Sequence, residues 1–418
     1  MAPTRLSRPM PPTDTTMPLS DVTVVDLGQA IAGPICATLL ADLGADVIKV
    51  ERPSGDVYRV DRRERDGEAF NPPFELYNRN KRSLCLDLKA EGGLDVLYDL
   101  VEDADVFVQN WPPGVAERIG VDYETLRTHN DDLIYVHVSG YGEVGPGVER
   151  PAMDTIIQHV SGLSSLMGYP GDPPIRAQSS VADFFAGYNA VVSTLAALRH
   201  RDAGGGGQAI DVSMLESTMH NMDGAFEYYH NLGEELPRGG RNGFFAPDML
   251  YGAAEAADGW VCVALLLYSE RVWAAYCDLL DRPDLQDRPE YASDDGRMAD
   301  ARALSAEFED WLAERTVEEA VDVLNDAGIP AAPHNTVAEA SAMAPNEARG
   351  SFVEVDHPRL GSLTLTNTPL SLSETPPAIR RHAPMLGEHS WEVLAELGYD
   401  EAAIERLVGA SAVVDSNR

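Results

Sequence analysis

D-V-T-V-V-D-L-G-Q-A-I-A-G-P-I-C-A-T-L-L-A-D-L-G-A-D-V-I-K-V-E, residues 21–51, decides the fold. Residues 21–27 form a short, β-branched apolar run of the kind a strand buried on both faces requires. Gly28, Gly33 and Pro34 then break the run. Residues 35–44 read as an apolar helix, and A-D-V-I-K-V-E (45–51) as a second strand. Strand, loop, helix and strand in that order make a parallel β-α-β unit.

The pattern continues outward. R-S-L-C-L-D-L (82–88), D-V-F-V-Q-N (105–110) and D-L-I-Y-V-H-V-S (132–139) read as strands, with a helix over 93–103. These elements predict a large, doubly wound, Rossmann-like α/β domain over 19–205, with ligands bound beyond the C-terminal ends of its strands. D-A-G-G-G-G-Q-A-I-D-V-S-M (202–214) lacks the spacing of a phosphate loop. It follows a helix and precedes a strand, so it reads as a helix stop and a tight turn. From 218 the texture changes. A smaller α+β domain is expected over 218–330, with a strand at 260–267 and helices at 270–281, 299–314 and 317–327. G-I-P-A-A-P-H-N (328–335) reads as a Pro-rich hinge, and 331–418 as a linker and return to the large domain, with a last helix near 389–397. Residues 1–18, rich in Pro and Thr, read as a disordered leader.

The 418 residues carry 68 acidic and 32 basic side chains, a net charge of −36. Only three of the basic residues are lysines: Lys49, Lys81 and Lys89. Dispersed acid with so little lysine suits a protein hydrated in concentrated salt, where screening cancels self-repulsion. A halophilic cytoplasm is therefore expected, and nucleic acid or an anionic membrane surface is not an expected partner. No apolar run reads as long enough to cross a membrane. Cys36, Cys85, Cys262 and Cys277 form no C-x-x-C pair and read as buried small side chains. The scattered histidines offer no metal-ligand spacing.

Asp183 is a single acid inside V-A-D-F-F-A-G (181–187), at the head of an apolar helix expected over 184–201. Two readings stand open for it: a helix N-cap, or a nucleophile or general base. Asp154, in P-A-M-D-T-I-I-Q-H (151–159), reads first as a cap. His159, five residues on, does not share a helix face with it. Arginines near strand ends, Arg52 and Arg118 among them, are placed where a phosphate-bearing ligand would dock. Arg176 reads as a surface ion-pair partner.

Several stretches agree in order and spacing with one family. They include V-V-D-L-G-Q-A-I-A-G-P (24–34), L-G-A-D-V-I-K-V-E-R-P-S-G-D (43–56) and N-R-N-K-R-S-L-C-L-D-L-K (78–89). D-V-F-V-Q-N-W-P-P-G-V-A-E-R-I-G (105–120), V-A-D-F-F-A-G (181–187), G-G-Q-A-I-D-V-S-M (206–214) and P-M-L-G-E-H-S (384–390) follow. The chain resembles the family III CoA-transferases, a group that includes formyl-CoA:oxalate transferases, carnitine CoA-transferases and α-methylacyl-CoA racemases. The resemblance implies that Asp183 is the catalytic aspartate. It implies CoA contacts at Arg52, Leu86, Asn110 and Arg118, a further basic contact at Arg150, and backbone near Ala30 lining the adenine or thioester pocket. R-G-G-R-N-G-F-F-A-P (238–247), with Gly239 and Gly240, is the candidate for the family's glycine loop, although shorter than the four-glycine form.

Family chemistry runs through an acyl–aspartyl anhydride and an aspartyl-CoA thioester. The implied partners are acyl-CoA and small carboxylic acids, and the CoA thioester is a substrate, so no cofactor or metal is implied. Family members are interlocked ring dimers. The racemase branch uses a histidine where this chain has Met153, which cannot shuttle a proton, so the transferase is the expected activity and the racemase the runner-up. A non-catalytic CoA-binding protein is the third reading. With a halophilic setting, succinyl-CoA as donor and a mesaconate-like dicarboxylate as acceptor are the expected substrates.

Overall fold

A computed structural model describes residues 17–60, 63–65, 67–243 and 247–414. All of the leader except 17 and 18 lies outside the described residues, as do 244–246 of the candidate glycine loop. The chain divides into two compact units, 1–161 with 179–221 and 343–418, and 162–178 with 222–342. The second unit thus takes in 162–178, a stretch read as part of the large domain, and the return begins at 343.

The first unit is built on one seven-stranded sheet. Its strands are β1 (Thr23–Asp26), β2 (Asp46–Glu51), β3 (Lys81–Leu86), β4 (Val106–Gln109), β5 (Ile134–Ser139), β6 (Gln208–Ser213) and, from the tail, the short β12 (Val413–Val414). Their order across the sheet is β12-β3-β2-β1-β4-β5-β6. Six strands run parallel, and β12 pairs antiparallel with β3; β10 (Phe352–His357) and β11 (Gly361–Thr366) form a separate antiparallel pair in the same unit. This is the Rossmann order, 3-2-1-4-5-6, with one added edge strand. Its direction reverses between β1 and β4, which opens a crevice beyond their C-terminal ends.

Helices cover both faces. On one face α1 (Ala32–Asp42) and α4 (Val181–Asp202) pack together over Val24, Val47, Val108 and Val136. On the other, α2 (Gly93–Glu102) packs with α8 (Ser390–Glu396) and α9 (Glu401–Gly409) over Val25, Ile48, Leu84 and Phe107. α1 and α4 approach closely because α4 offers Gly187 at the crossing. A Cβ there would lie 3.0 Å from Ile35 Cγ2 and 3.1 Å from the Ala32 carbonyl oxygen. At 22 residues, α4 is long and apolar enough to span a membrane by length and composition, contrary to expectation. Its buried Ala182, Ala186, Ala190 and Leu198 belong to the core of the first unit. The glycine run after α4 is the expected helix stop: Gly204 is left-handed at φ +91°, and β6 follows at Gln208.

The second unit is α+β. A three-stranded antiparallel sheet, order β9-β8-β7, is formed by β7 (Tyr251–Ala256), β8 (Gly259–Ala264) and β9 (Ala331–Pro333). Its core includes Val261 and Val263, with Trp273 and Tyr276 of α5 (Glu270–Leu279), Phe308 of α6 (Ala301–Ala313) and Leu324 of α7 (Val317–Asp326). The expected hinge at 328–335 is in fact this edge strand, where proline is tolerated because its missing N–H faces away from the ladder. Cys262 is exposed, against the expectation of burial, because β8 alternates and only Val261 and Val263 turn inward. Cys36, Cys85 and Cys277 are buried.

Candidate active site

The loop between β1 and α1 is fixed from three neighbouring strands at once. From β2, Lys49 Nζ donates to the Gly28 carbonyl at 2.9 Å and to Asp56 at 3.0 Å. From β3, Lys81 Nζ donates to Asp26 at 2.7 Å, to the Pro34 carbonyl at 3.1 Å and to Asn78 Oδ1 at 3.1 Å. From the end of β4, the Asn110 amide accepts from Gln29 N–H at 2.8 Å and donates to the Gln29 carbonyl at 2.9 Å. Ala30, left-handed at φ +60°, donates its N–H to Asp56 at 3.3 Å. The loop also folds tightly on itself. A Cβ on Gly28 would meet Asp26 Oδ1 at 2.8 Å and Pro34 Cδ at 2.9 Å, so only glycine fits.

Two of the chain's three lysines are thus completely buried structural clamps. Burial pushes Lys81 down to about 8, with Asp26 opposing. Burial works the same way on Lys49, but Asp26, Asp56 and Glu51 outweigh it and hold that ammonium above its ordinary value. Both charges meet the requirement that a buried ion be paired and hydrogen-bonded.

Beyond this loop, at the C-terminal ends of β1, β2, β3 and β4, lies a groove of about 560 Å³. Gly28, Gln29, Leu86, Trp111 and Pro112 line it, and Arg52, Lys89 and Arg118 stand on it. All three cations are exposed, and among the described residues none forms an ion pair. In a chain with more than twice as many acids as bases, three unpaired cations around one groove form a ready phosphate site. Sequence reasoning chose Arg52, Leu86 and Arg118 and missed Lys89. The available signal was that Lys89 is the one lysine outside a strand, directly after L-D-L. Asn110 does not line the groove, and its amide is engaged by Gln29. Arg150 is exposed, outside the groove lining, and its N–H is bonded to the Gly147 carbonyl.

Asp183 lies in the first turn of α4, as its third residue. The N-cap is Ser180, whose side chain makes no capping bond, so the capping reading of Asp183 is corrected. The cap comes from elsewhere. Asp154, the first residue of α3 (Asp154–Val160), accepts the Ala182 N–H at 2.9 Å and holds Gln158 Nε2 at 2.7 Å. Asp154 is a cap as expected, but of α4 and not of its own helix. Asp183, relieved of that duty, makes no side-chain hydrogen bond among the described residues. It sits one turn before Gly187 on the same helix face, so it looks toward the start of α1 and the Gly28–Ile31 loop. Burial, and then the Asp154 carboxylate, push its carboxyl up to about 7.

Aromatic side chains surround it. Burial raises the hydroxyls of both Tyr58 and Tyr77, and the Asp183 charge adds to it, at Tyr77 after the neighbouring Tyr58. Phe184 packs edge-on to Tyr77 at 6.0 Å. Met153 is 74% exposed, and His159 turns its Nδ1 back to the Thr155 carbonyl at 2.8 Å. The ring of His159 is exposed. Gly239 and Gly240 belong to the second unit. There Gly240, at φ +59°, packs so closely that a Cβ would lie 2.8 Å from the Tyr169 ring. Among the described residues no cluster of His, Cys, Asp or Glu could hold a metal ion.

The chain as a whole is similar to a set of known proteins. Residues 19–390 match the family model described as CoA-transferase family III. The succinyl-CoA:mesaconate CoA-transferase of Haloarcula marismortui is 36% identical over 391 residues, covering 91% of this chain and 97% of that protein. The succinyl-CoA–L-malate CoA-transferase β subunit of Chloroflexus aurantiacus is 34% identical, covering 92% and 95%. The crystal structure of a CAIB/BAIF family protein from Brucella suis superposes with a TM-score of 0.80 at 31% identity, covering 92% of this chain and all of that one.

Proposed function

The chain belongs to CoA-transferase family III and is a CoA-transferase, and on that premise we propose that it moves CoA from succinyl-CoA to a dicarboxylate of the mesaconate kind through covalent intermediates on Asp183. The observation that carries this reading is an unbonded carboxylate facing the loop whose other side borders a groove ringed by unpaired cations. Arg52, Lys89 and Arg118 hold the CoA phosphates, Arg150 makes any basic contact outside this groove, and Leu86 and the backbone from Gly28 to Ala30 form the wall.

The Asp183 carboxylate attacks the thioester carbonyl, the C–S bond breaks, and the CoA thiolate leaves an acyl–aspartyl anhydride. The thiolate then attacks the Asp183 carbonyl and releases the donor acid, giving an aspartyl-CoA thioester. An acceptor carboxylate enters and the steps reverse. Each exchange is nearly balanced in energy, and holding CoA in the groove keeps the thiolate beside its target. The N–H groups at the start of α1 are free of intrahelical partners and suit the developing oxyanion. The reading carries with it a homodimer of interlocked rings, a cytoplasmic setting, no added cofactor, and shielding of the intermediates by the segment with Gly239 and Gly240. An exposed Met153 and an outward-turned His159 support transfer over racemisation, because neither provides a base opposite Asp183.

The test is a product assay in concentrated salt with succinyl-CoA and a panel of mono- and dicarboxylates. The expected result is ping-pong kinetics, a preference for an unsaturated dicarboxylate, and loss of transfer in Asp183→Asn. Deuterium exchange at the α-carbon of a 2-methylacyl-CoA without CoA transfer would overturn it.

A further inference from the structure

His137 lies in the middle of β5, 3% exposed, and both of its ring nitrogens face acceptors. Nδ1 is 2.5 Å from Glu143 Oε1, and Nε2 is 2.8 Å from the Trp111 carbonyl oxygen. A neutral imidazole has one N–H and would leave one contact unmade. A carboxylate and a carbonyl both accept, so the two bonds together require the doubly protonated ring. Trp111 follows β4 at the reversal point of the sheet and lines the groove, and Pro112, Val115 and Arg118 follow it there.

We infer that His137 is a positioning residue for CoA binding, and that its imidazolium holds the Trp111–Arg118 side of the groove in place by hydrogen-bonding the Trp111 carbonyl. The inference rests on the reading of that groove as the CoA site. Among the described residues the segment has two other side-chain anchors at its start. Trp111 N–H donates to Gln109 Oε1 at 2.7 Å, and Asn110 holds Gln29. Without the His137 bond, the N-W-P-P-G turn is tethered on one side only.

The surroundings favour the charged ring. Its partners in register are Gln109 on β4 and Asp211 on β6. Tyr135 stands two residues away on the same face of β5, and Glu117, Asp122, Tyr123 and Glu124 line the same cavity of about 380 Å³. None of the residues lining that cavity is a lysine or arginine. Burial opposes protonation, but Glu143, the Trp111 carbonyl and Asp211 outweigh it, and the ring titrates above its ordinary value. The direction follows. On deprotonation the remaining N–H stays at Nδ1 with the Glu143 carboxylate, the stronger acceptor, so the bond to the Trp111 carbonyl is complete below that raised value and is lost as pH rises through it.

The experiment measures the dissociation constant of CoA for the full-length protein from about pH 6 to about pH 9.5, bracketing an imidazole raised above about 6.5. Wild type, His137→Gln and Glu143→Gln are compared, so that the titration of CoA itself cancels. In wild type, binding weakens by roughly five- to tenfold on the alkaline side, the net worth of about one ordinary hydrogen bond passed to the ligand. His137→Gln, which still donates to Trp111 but does not titrate, flattens that limb. Glu143→Gln moves it to lower pH. In turnover the change falls on KM for the acyl-CoA and spares kcat. Identical profiles for the three proteins would overturn the inference and leave the groove reading intact. No CoA binding at any pH would overturn both.

Discussion

The floor and the rim of the groove use the same residue types in opposite ways. On the floor, Lys49 and Lys81 are fully buried and every charge is matched, to Asp56, Asp26 and backbone carbonyls. On the rim, Arg52, Lys89 and Arg118 are exposed and unpaired among the described residues. The floor is complete within the chain and holds a shape. The rim is incomplete and is completed by a ligand. A change on the floor should therefore cost stability, and a change on the rim should cost affinity.

The sharpest way to break this contrast is Lys81→Met, which leaves Asp26 buried without a partner. A loss of about 3–5 kcal/mol in denaturant unfolding is expected. Much of it should return in the double variant with Asp26→Leu, where no charge is left behind. If Lys81→Met were as stable as the parent, the floor would not be a structural clamp. On the rim, Arg118→Ala should leave the unfolding midpoint unchanged within about 0.5 kcal/mol. It should weaken CoA binding by about 1.5–3 kcal/mol at low ionic strength, and less in concentrated salt, which screens an exposed charge. Lys89→Ala should behave in the same way. Equal loss of stability and affinity would erase the distinction.

Smaller effects sharpen it. With Asp183 raised to about 7, the nucleophilic carboxylate is depleted below that pH, and kcat/KM for the acyl-CoA should fall about tenfold per unit on the acid side. Asp154→Asn retains an oxygen for the Ala182 N–H and removes the neighbouring charge, so the acid limb should move to lower pH. The same shift sets the stability trend. The folded protein holds the Asp183 proton more tightly than the unfolded chain, so protonation of this group favours folding at low pH. That contribution is lost as pH rises from about 4 to about 7. The smallest effect is expected at Ala30. Glycine there relieves the left-handed strain but frees the unfolded chain, a net change within about 1 kcal/mol.

The same contrast explains what was legible in the sequence. The parallel core could be read because each strand and helix declares itself locally. The β-branched runs at 21–27 and 45–51 and the glycines between them were sufficient, and the strand order then followed the Rossmann pattern. Asp183 was visible because a charge interrupts an apolar run. What could not be read was long-range. That Asp154 caps α4 depends on packing between residues 28 positions apart. The edge strand β12 is two residues long, and its identity depends on Leu86 and Cys85 as partners. Ala331–Pro333 looked like a hinge because proline marks both hinges and edge strands. Lys89 was passed over because a lysine's role depends on its partners, and the sequence does not display them.

The central claim is that Asp183 becomes covalently linked to substrate. It is tested most directly by incubating the protein with succinyl-CoA in concentrated salt, trapping with hydroxylamine or borohydride, and mapping the peptides by mass spectrometry. The account predicts a modification on the peptide that contains V-A-D-F-F-A-G, located at Asp183 and absent from Asp183→Ala. Productive transfer with no modification at Asp183, or with the modification on another residue, would contradict it.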